Sequence, residues 1–262
     1  MNNELRRNIV QMVYEAKCGH IPSAFSIIDI LEILYRKVLK YSINDIHSKD
    51  RDYFILSKGH GCLALYVVLE KFGFVGKKEL TSFSKHDSLL GEHPDCLKVP
   101  GIEASTGSLG HGLPFAVGIA LGLKINKMPN KVIVLIGDGE CNEGSIWEAA
   151  MAAPKYNLDN LIVIVDKNNF QQTGSNSDIM DLRDLKNKWN SFGWEAEDID
   201  GHNIEKLISY FDNLKNNQMP KALIANTIKG KGFSFSENNN DWHHSVLTKS
   251  FFEKALNELN KK

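Results

Sequence analysis

The stretch "KVIVLIGDGECNEGSIWEAAMAAPKYNLDNLIVIVDKNNF", residues 131–170, decides how the chain folds. Its two ends, "KVIVLIG" (131–137) and "NLIVIVD" (160–166), carry Val and Ile at successive positions instead of alternating with polar residues. Such runs suit strands covered on both faces, the habit of parallel sheets. Between them, Ile146–Ala153 reads as a helix, and parallel neighbours require a crossover of that kind. Residues 131–166 therefore form a βαβ unit. A third run, "KALIANT" (221–227), has the same character. These features predict an α/β fold, a doubly wound and mainly parallel sheet flanked by helices, in a single domain over residues 1–262. In such sheets ligands bind beyond the carboxyl ends of the strands.

Working outward, Leu5, Ile9, Met12, Val13 and Ala16 recur at helical spacing, predicting a helix over 4–17. A second helix is expected over 26–39. "FILSKGHG" is a short apolar stretch ending in glycines, and helical "CLALYVVLEKFG" follows it. Residues 81–105 show no period and read as loop. Residues 109–125 predict a small-residue helix with Pro114 in its first turns. "EAEDIDGHN" (195–203) offers a weaker strand; helices are expected at 204–213 and after Thr248.

The 262 residues are 42% hydrophobic and 24% charged, with net charge −1. That balance and the lack of a long basic block give nucleic acid no electrostatic invitation. Cys18, Cys62, Cys96 and Cys141 include no C-x-x-C pair, which favours a reduced protein over a disulfide framework or zinc site. There is neither a signal-peptide pattern at "MNNELRRNIV" nor a run of membrane-spanning length. A cytoplasmic protein without membrane association is expected.

Chemistry gathers where the strands stop. The first strand ends in Gly137-Asp138-Gly139 and the second in Asp166-Lys167-Asn168-Asn169-Phe170. Neighbouring strands lie about 4.8 Å apart, so the Asp138 carboxylate and the Asn168 amide oxygen can share one cation. Oxygen ligands suit Mg²⁺ or Ca²⁺, and Mg²⁺ keeps positions for phosphate oxygens and water. Glycines beside Asp138 let the backbone approach a bulky anion. Taken singly, each motif is a turn; paired across one βαβ unit, they point to a site.

Gly-Asp-Gly followed about thirty residues later by Asn is similar to the signature of thiamine-diphosphate-dependent enzymes. More specifically, the chain resembles the N-terminal, diphosphate-binding part of transketolase. "KCGHIPSAFSIIDILEILY" (17–35), "RDYFILSKGHGCLALY" (51–66), "GEHPD" (91–95), "STGSLGHGL" (105–113) and "WEAEDIDGHN" (194–203) follow the family's order. "KGKGFSFSENNNDWH" (229–243) resembles the closing segment of that domain in split, two-chain transketolases.

The resemblance implies roles. Asp138 and Asn168 would be side-chain ligands of Mg²⁺ (with Ca²⁺ or Mn²⁺ as substitutes), joined by the Phe170 carbonyl. Gly139 and Asn168 would lie at the thiamine diphosphate. Gly107, Ser108 and Leu109 would line its aminopyrimidine, and His60 and His243 would hydrogen-bond its diphosphate. His20, His93 and His243 would serve catalysis at the sugar oxygens, although His243 and His244 are adjacent and the alignment can slip between them. Glu143 would couple paired sites across a subunit contact. His111 stands where long transketolases carry glutamine. The family's Ser-Gly-His-Pro-Gly is Cys18-Gly19-His20-Ile21-Pro22 here, so sugar contacts differ.

The implied activity is transfer of a two-carbon ketol unit from a ketose to an aldose, the substrates being sugar phosphates. The glutamate that activates the cofactor belongs, in the family, to a pyrimidine-binding domain. No carboxylate here takes that role, so a separate C-terminal subunit is expected to supply it, in an α2β2 assembly. Four alternatives stand beside this reading. One is a specialised enzyme acting on an activated sugar; another is a 2-oxoacid dehydrogenase alpha subunit, against which the histidines argue. A non-catalytic module is disfavoured because Asp138, Gly139 and Asn168 are retained, and a Rossmann site because G-x-G-x-x-G is lacking.

Overall fold

The computed structural model describes residues 2–215, 217–242 and 244–261, apart from the side chain of Asp45. The chain opens with α1 (Asn3–Ala16), whose first turn is capped by the Asn2 side chain accepting from Leu5 N at 3.2 Å. Then come α2 (Ile21–Phe25), α3 (Ile28–Ile33) and strand β1 (Tyr53–Leu56). After α4 (Cys62–Lys71) and α5 (Lys77–Thr81), irregular chain leads to α6 (Gly112–Ile125). The quoted unit is β2 (Val132–Gly137), α7 (Gly144–Lys155) and β3 (Leu161–Lys167). The remainder is α8 (Asn176–Ile179), α9 (Leu185–Ser191), β4 (Glu195–Asp200), α10 (Ile204–Asp212), β5 (Lys221–Asn226) and α11 (Lys249–Asn260).

The five strands form one parallel sheet in the order β1-β2-β3-β5-β4. Alternate residues of the central strands feed two cores. Ile133, Leu135, Ile162, Ile164 and Leu223 face α1, α3, α4, α10 and α11, while Val132, Val134, Ile136, Val163 and Ile224 face α6, α7 and α9. Burial on both sides explains the unbroken apolar runs. The chain leaving β1 and β5 enters the first core, and the chain leaving β2 and β3 enters the second. Connections thus diverge at the β1/β2 and β3/β5 boundaries, opening the crevices in which α/β sheets hold ligands. At its far edge β4 carries Glu195, Glu197, Asp198 and Asp200, a charged rim that discourages pairing with another sheet.

One predicted element differs from expectation and three further helices were not predicted. The helix expected over 26–39 begins upstream as α2, because Pro22 is accommodated in a first turn. It then breaks at Ser26, whose hydroxyl donates to Asp166 Oδ2 at 2.7 Å and so ties the turn to the sheet. Its last turn, Leu34–Val38, is a π-helix. The short α5, α8 and α9 were not expected.

On α6 the second core takes Leu113, Ala116, Val117, Ala120 and Leu123. The opposite side presents Phe115, Gly118, Gly122 and Ile125 to solvent, with Phe115 53% and Ile125 70% exposed. From Gly112 to Leu123 the helix contains no polar side chain. Among the described residues no helix is long and apolar enough to cross a membrane, and all four cysteines are free.

Candidate functional site

The ends of β1, β2 and β3, the loop before α2 and the loop before α6 converge on a cavity of about 370 Å³. Its lining includes His20, His60, His93, Gly107, Leu109, Asp138, Gly139, Glu143, Asn168 and Phe170, most of the residues singled out by sequence, together with Lys58, which was not.

At the floor, Asp138 ends β2 and is 1% exposed. Its Oδ1 accepts from Gly139 N at 2.8 Å and its Oδ2 from Asn169 N at 2.5 Å, which joins the two strand ends. No cationic side chain among the described residues forms an ion pair with it. Burial, and then the neighbouring Asp166 carboxylate, push its pKa up to about 7. A carboxylate held this way fits a bound cation. The Asn168 amide is oriented by donation from Nδ2 to Asp166 Oδ2 at 2.9 Å, while its Oδ1 accepts from Phe170 N at 3.0 Å. Among the described residues the Phe170 carbonyl accepts no hydrogen bond. Two side-chain oxygens and a carbonyl at one strand-end junction therefore suit a hard divalent cation with positions left for anionic oxygens.

Behind this floor lies a buried charge network that the sequence did not disclose. Lys58, at the end of β1, pairs with Asp166, at the end of β3, both essentially without solvent. Asp166 also accepts from Ser26, Thr227 and Asn168; Lys58 first, then the Thr227 and Ser26 hydroxyls, hold its carboxyl below the usual range despite burial. A second lysine, Lys229, is 1% exposed. Its ammonium donates to Gln171 O at 2.9 Å and Asn240 Oδ1 at 2.7 Å and lies 5.4 Å from the Phe170 ring centroid. Burial and the charge of Lys58 push it down to about 8. The two ammonium groups stand near two carboxylates, Asp138 and Asp166, so a cation held by Asp138 would leave this end net positive and suited to a polyanion. Charged residues ending wholly apolar strands were the available signal for Lys58 and Asp166; Lys229 had none beyond its Gly-rich setting.

The wall opposite is the 107–112 loop. Glu140, 2% exposed, clips it to the sheet: Oε1 accepts from Ser57 Oγ at 2.5 Å and Gly110 N at 2.9 Å, and Oε2 from Gly137 N at 3.1 Å. Gly107 has φ +143°, and a side chain there would meet the His93 ring 2.8 Å away. Only glycine allows loop and imidazole to approach so closely. Ser108 lies outside the cavity lining and faces His111, Oγ to Nδ1 3.4 Å.

At the mouth, the ring centroid of His20 lies 5.7 Å from that of His60, 6.3 Å from His93 and 4.7 Å from His244. His244 Nε2 is 3.3 Å from Glu92 Oε2. Burial, and then the His244 and His93 rings, push His20 down to about 4, so it is a neutral imidazole able to donate and accept. The backbone of the 91–93 loop is held by the Tyr66 hydroxyl, 2.9 Å from Gly91 O and 3.0 Å from His93 O. His243 lies outside the described residues, so the choice between it and His244 is informed only by the position of His244. Glu143 is exposed at the start of α7 and lines the cavity.

The sequence profile "Transketolase, thiamine diphosphate binding domain" matches residues 1–259. The chain belongs to the transketolase family. This is a family of thiamine-diphosphate-dependent transferases, and the parallel sheet flanked by helices is its fold. Among similar proteins is one of the subunits of the apulose-4-phosphate transketolase of Phocaeicola vulgatus, 40% identical over 98% of this chain and 92% of that protein. The 6-deoxy-6-sulfo-D-fructose transketolase subunit of a Clostridium strain is 38% identical over 99% and 94%. Human transketolase is 36% identical over 98% of this chain but only 41% of its own length. The solved Campylobacter jejuni transketolase superposes with a TM-score of 0.91 at 28% identity, covering 98% of this chain and 42% of that one. For the Leishmania mexicana transketolase the TM-score is 0.89 at 26% identity, with 98% and 40% covered. The chain thus spans about two fifths of the solved transketolases it matches.

Proposed function

We propose that this chain is the diphosphate-holding subunit of a two-chain transketolase that moves a two-carbon ketol unit from an anionic ketose to an aldose. The observation that carries this reading is the junction of Asp138 with Asn168–Phe170 at adjacent strand ends, beside two buried lysines and beneath a histidine-lined mouth. Two relatives matched over nearly their whole length support the substrate class. One is named for a ketose phosphate and one for a ketose sulfonate, so both names carry an anionic ketose.

In this reading Asp138, Asn168 and the Phe170 carbonyl hold Mg²⁺, and Gly139, Asn168 and His60 lie against the diphosphate. Gly107, Ser108 and Leu109 line the aminopyrimidine through their backbone. Thiamine diphosphate, when bound, supplies the electron sink that carbon–carbon cleavage needs. The protein positions the sugar and moves protons. His20 and His93, with His243 or His244, donate to or accept from the sugar oxygens that gain and lose protons as the bond breaks and re-forms. The neutral state of His20 suits that exchange.

The residues of this domain, taken as one unit over 1–262, leave the glutamate that activates the aminopyrimidine to a partner carrying the pyrimidine-binding domain, in an α2β2 assembly. Relatives whose names make them one subunit of a transketolase support a partner. The exposed apolar face of α6, beside the cavity-lining start of α7, supports its docking there, with Glu143 at the contact. The test is reconstitution with the C-terminal transketolase subunit from the same genome, thiamine diphosphate, Mg²⁺ and ketose phosphates. Ketol transfer by the pair, none by the chain alone, and loss of Mg²⁺-dependent cofactor binding in Asp138→Ala are expected. Decarboxylation of 2-oxoacids by the pair, or normal cofactor binding by Asp138→Ala, would overturn the reading.

A further inference from the structure

Directly after β5 the segment Thr227–Gly232 crosses the carboxyl end of the sheet without regular secondary structure. Lys229 stands in its middle. The backbone on either side of that lysine is held by two groups outside the cavity: Ile228 N donates to His202 Nε2 at 3.0 Å, and Lys231 O accepts from Arg6 Nε at 3.3 Å. A third bond, Gly230 N to Pro22 O at 3.0 Å, lies between them.

His202 and Arg6 are joined through Asp29. The Arg6 guanidinium meets both oxygens of that carboxylate, at 2.9 and 2.8 Å, and His202 Nδ1 lies 3.3 Å from Oδ2. Because a backbone N–H can only donate, Nε2 of His202 is the acceptor and Nδ1 carries the proton directed at Asp29. Arg6 and Asp29 are buried, at 0% and 2% exposure. The three residues come from α1, α3 and the β4–α10 turn, elements distant in sequence. A buried ion pair is poor value for stability alone, since apolar side chains would fill the space as well. Its use here is geometric.

We propose that Arg6, Asp29 and His202 form a positioning relay that fixes the Thr227–Gly232 segment and thereby holds the Lys229 ammonium at the anion end of the cofactor site. The inference rests on the proposed function for the identity of that anion, but the relay itself can be read without it. None of the three residues touches the cavity; each acts through the segment.

The experiment uses three variants, each measured as the chain alone and assembled with its partner. His202→Leu removes both hydrogen bonds. His202→Asn keeps a donor for Asp29 and loses the acceptor for Ile228, a gentler change that remains informative if the leucine variant folds poorly. His202→Gln offers an oxygen to Ile228. Amide exchange at 228–231 in the chain alone should quicken in Leu and Asn and recover in Gln. Apparent thiamine diphosphate affinity should fall about tenfold in Asn, as when an outer support of a ligating group is lost. The KM for sugar and the melting temperature should stay near wild type. In the background Lys229→Met, which itself weakens cofactor binding, His202→Asn should cost nothing further. Unchanged exchange at 228–231, equal losses in cofactor and sugar affinity, or additive effects of His202→Asn and Lys229→Met would each overturn the relay. Absence of any cofactor binding by the wild-type pair would instead overturn the proposed function, with the exchange result still deciding the relay's effect on the segment.

Discussion

The pH behaviour of His20 follows from its setting. Burial and two neighbouring imidazoles disfavour its charged form, so it titrates near 4 in the folded chain and near its ordinary value of 6.5 when unfolded. The unfolded chain therefore binds the extra proton between those values. His20 contributes stability that is fully present above pH 6.5 and is lost as pH falls towards 4. An NMR titration of the folded chain should find its midpoint near 4. In His20→Gln the decline of melting temperature between pH 6.5 and 4 should be shallower. A midpoint near 6.5 would mean that the imidazole cluster is open to water. Asp138 and Asn168 were legible in the sequence because each ends an apolar strand of one βαβ unit. Lys58 and Asp166 were not read as a pair, because 108 residues separate them and no local spacing reports a contact made only by the sheet.

The same contrast holds for elements. Strands β2, β3 and β5 announce themselves, since burial from both faces removes polar residues from the run. Helices α8 and α9, of 4 and 7 residues, are too short for a periodic pattern and owe their starts to the Ser175 and Asp184 caps. The break near Ser26 was hidden because its cause, a hydrogen bond to Asp166, is tertiary. The 107–112 loop illustrates what one such contact supports. Replacing Glu140 by Ala leaves the buried Gly110 and Gly137 amides without an acceptor, at about 1–3 kcal/mol for each. Chemical denaturation should show that loss. Cofactor affinity in the assembled enzyme should fall with it, because the loop carries Gly107 and Leu109. A Glu140→Ala chain with unchanged unfolding midpoint would remove this account of the loop.

For the molecule as a whole, the sheet places the proposed cation and diphosphate site at one end, and α6 turns an apolar face to solvent beside it. A surface helix with no polar residue over twelve positions is a face awaiting cover. Phe115→Asp should leave the far-UV circular dichroism and melting temperature of the isolated chain near wild type, since Phe115 is half exposed. Analytical ultracentrifugation with the partner subunit should then show loss of the complex, and ketol transfer should disappear with it. Retained assembly would move the contact elsewhere.

The bare flank of α6 also has a consequence for how the cell makes this protein. In the proposed assembly, a copy synthesised in excess of its partner keeps that flank open, and open apolar flanks find one another or a protease. Under that proposal the supply of the two chains has to be matched, so co-translation from adjacent reading frames would protect yield as much as activity. Expressed by itself, the chain should aggregate more readily as its concentration rises, and less in Phe115→Asp.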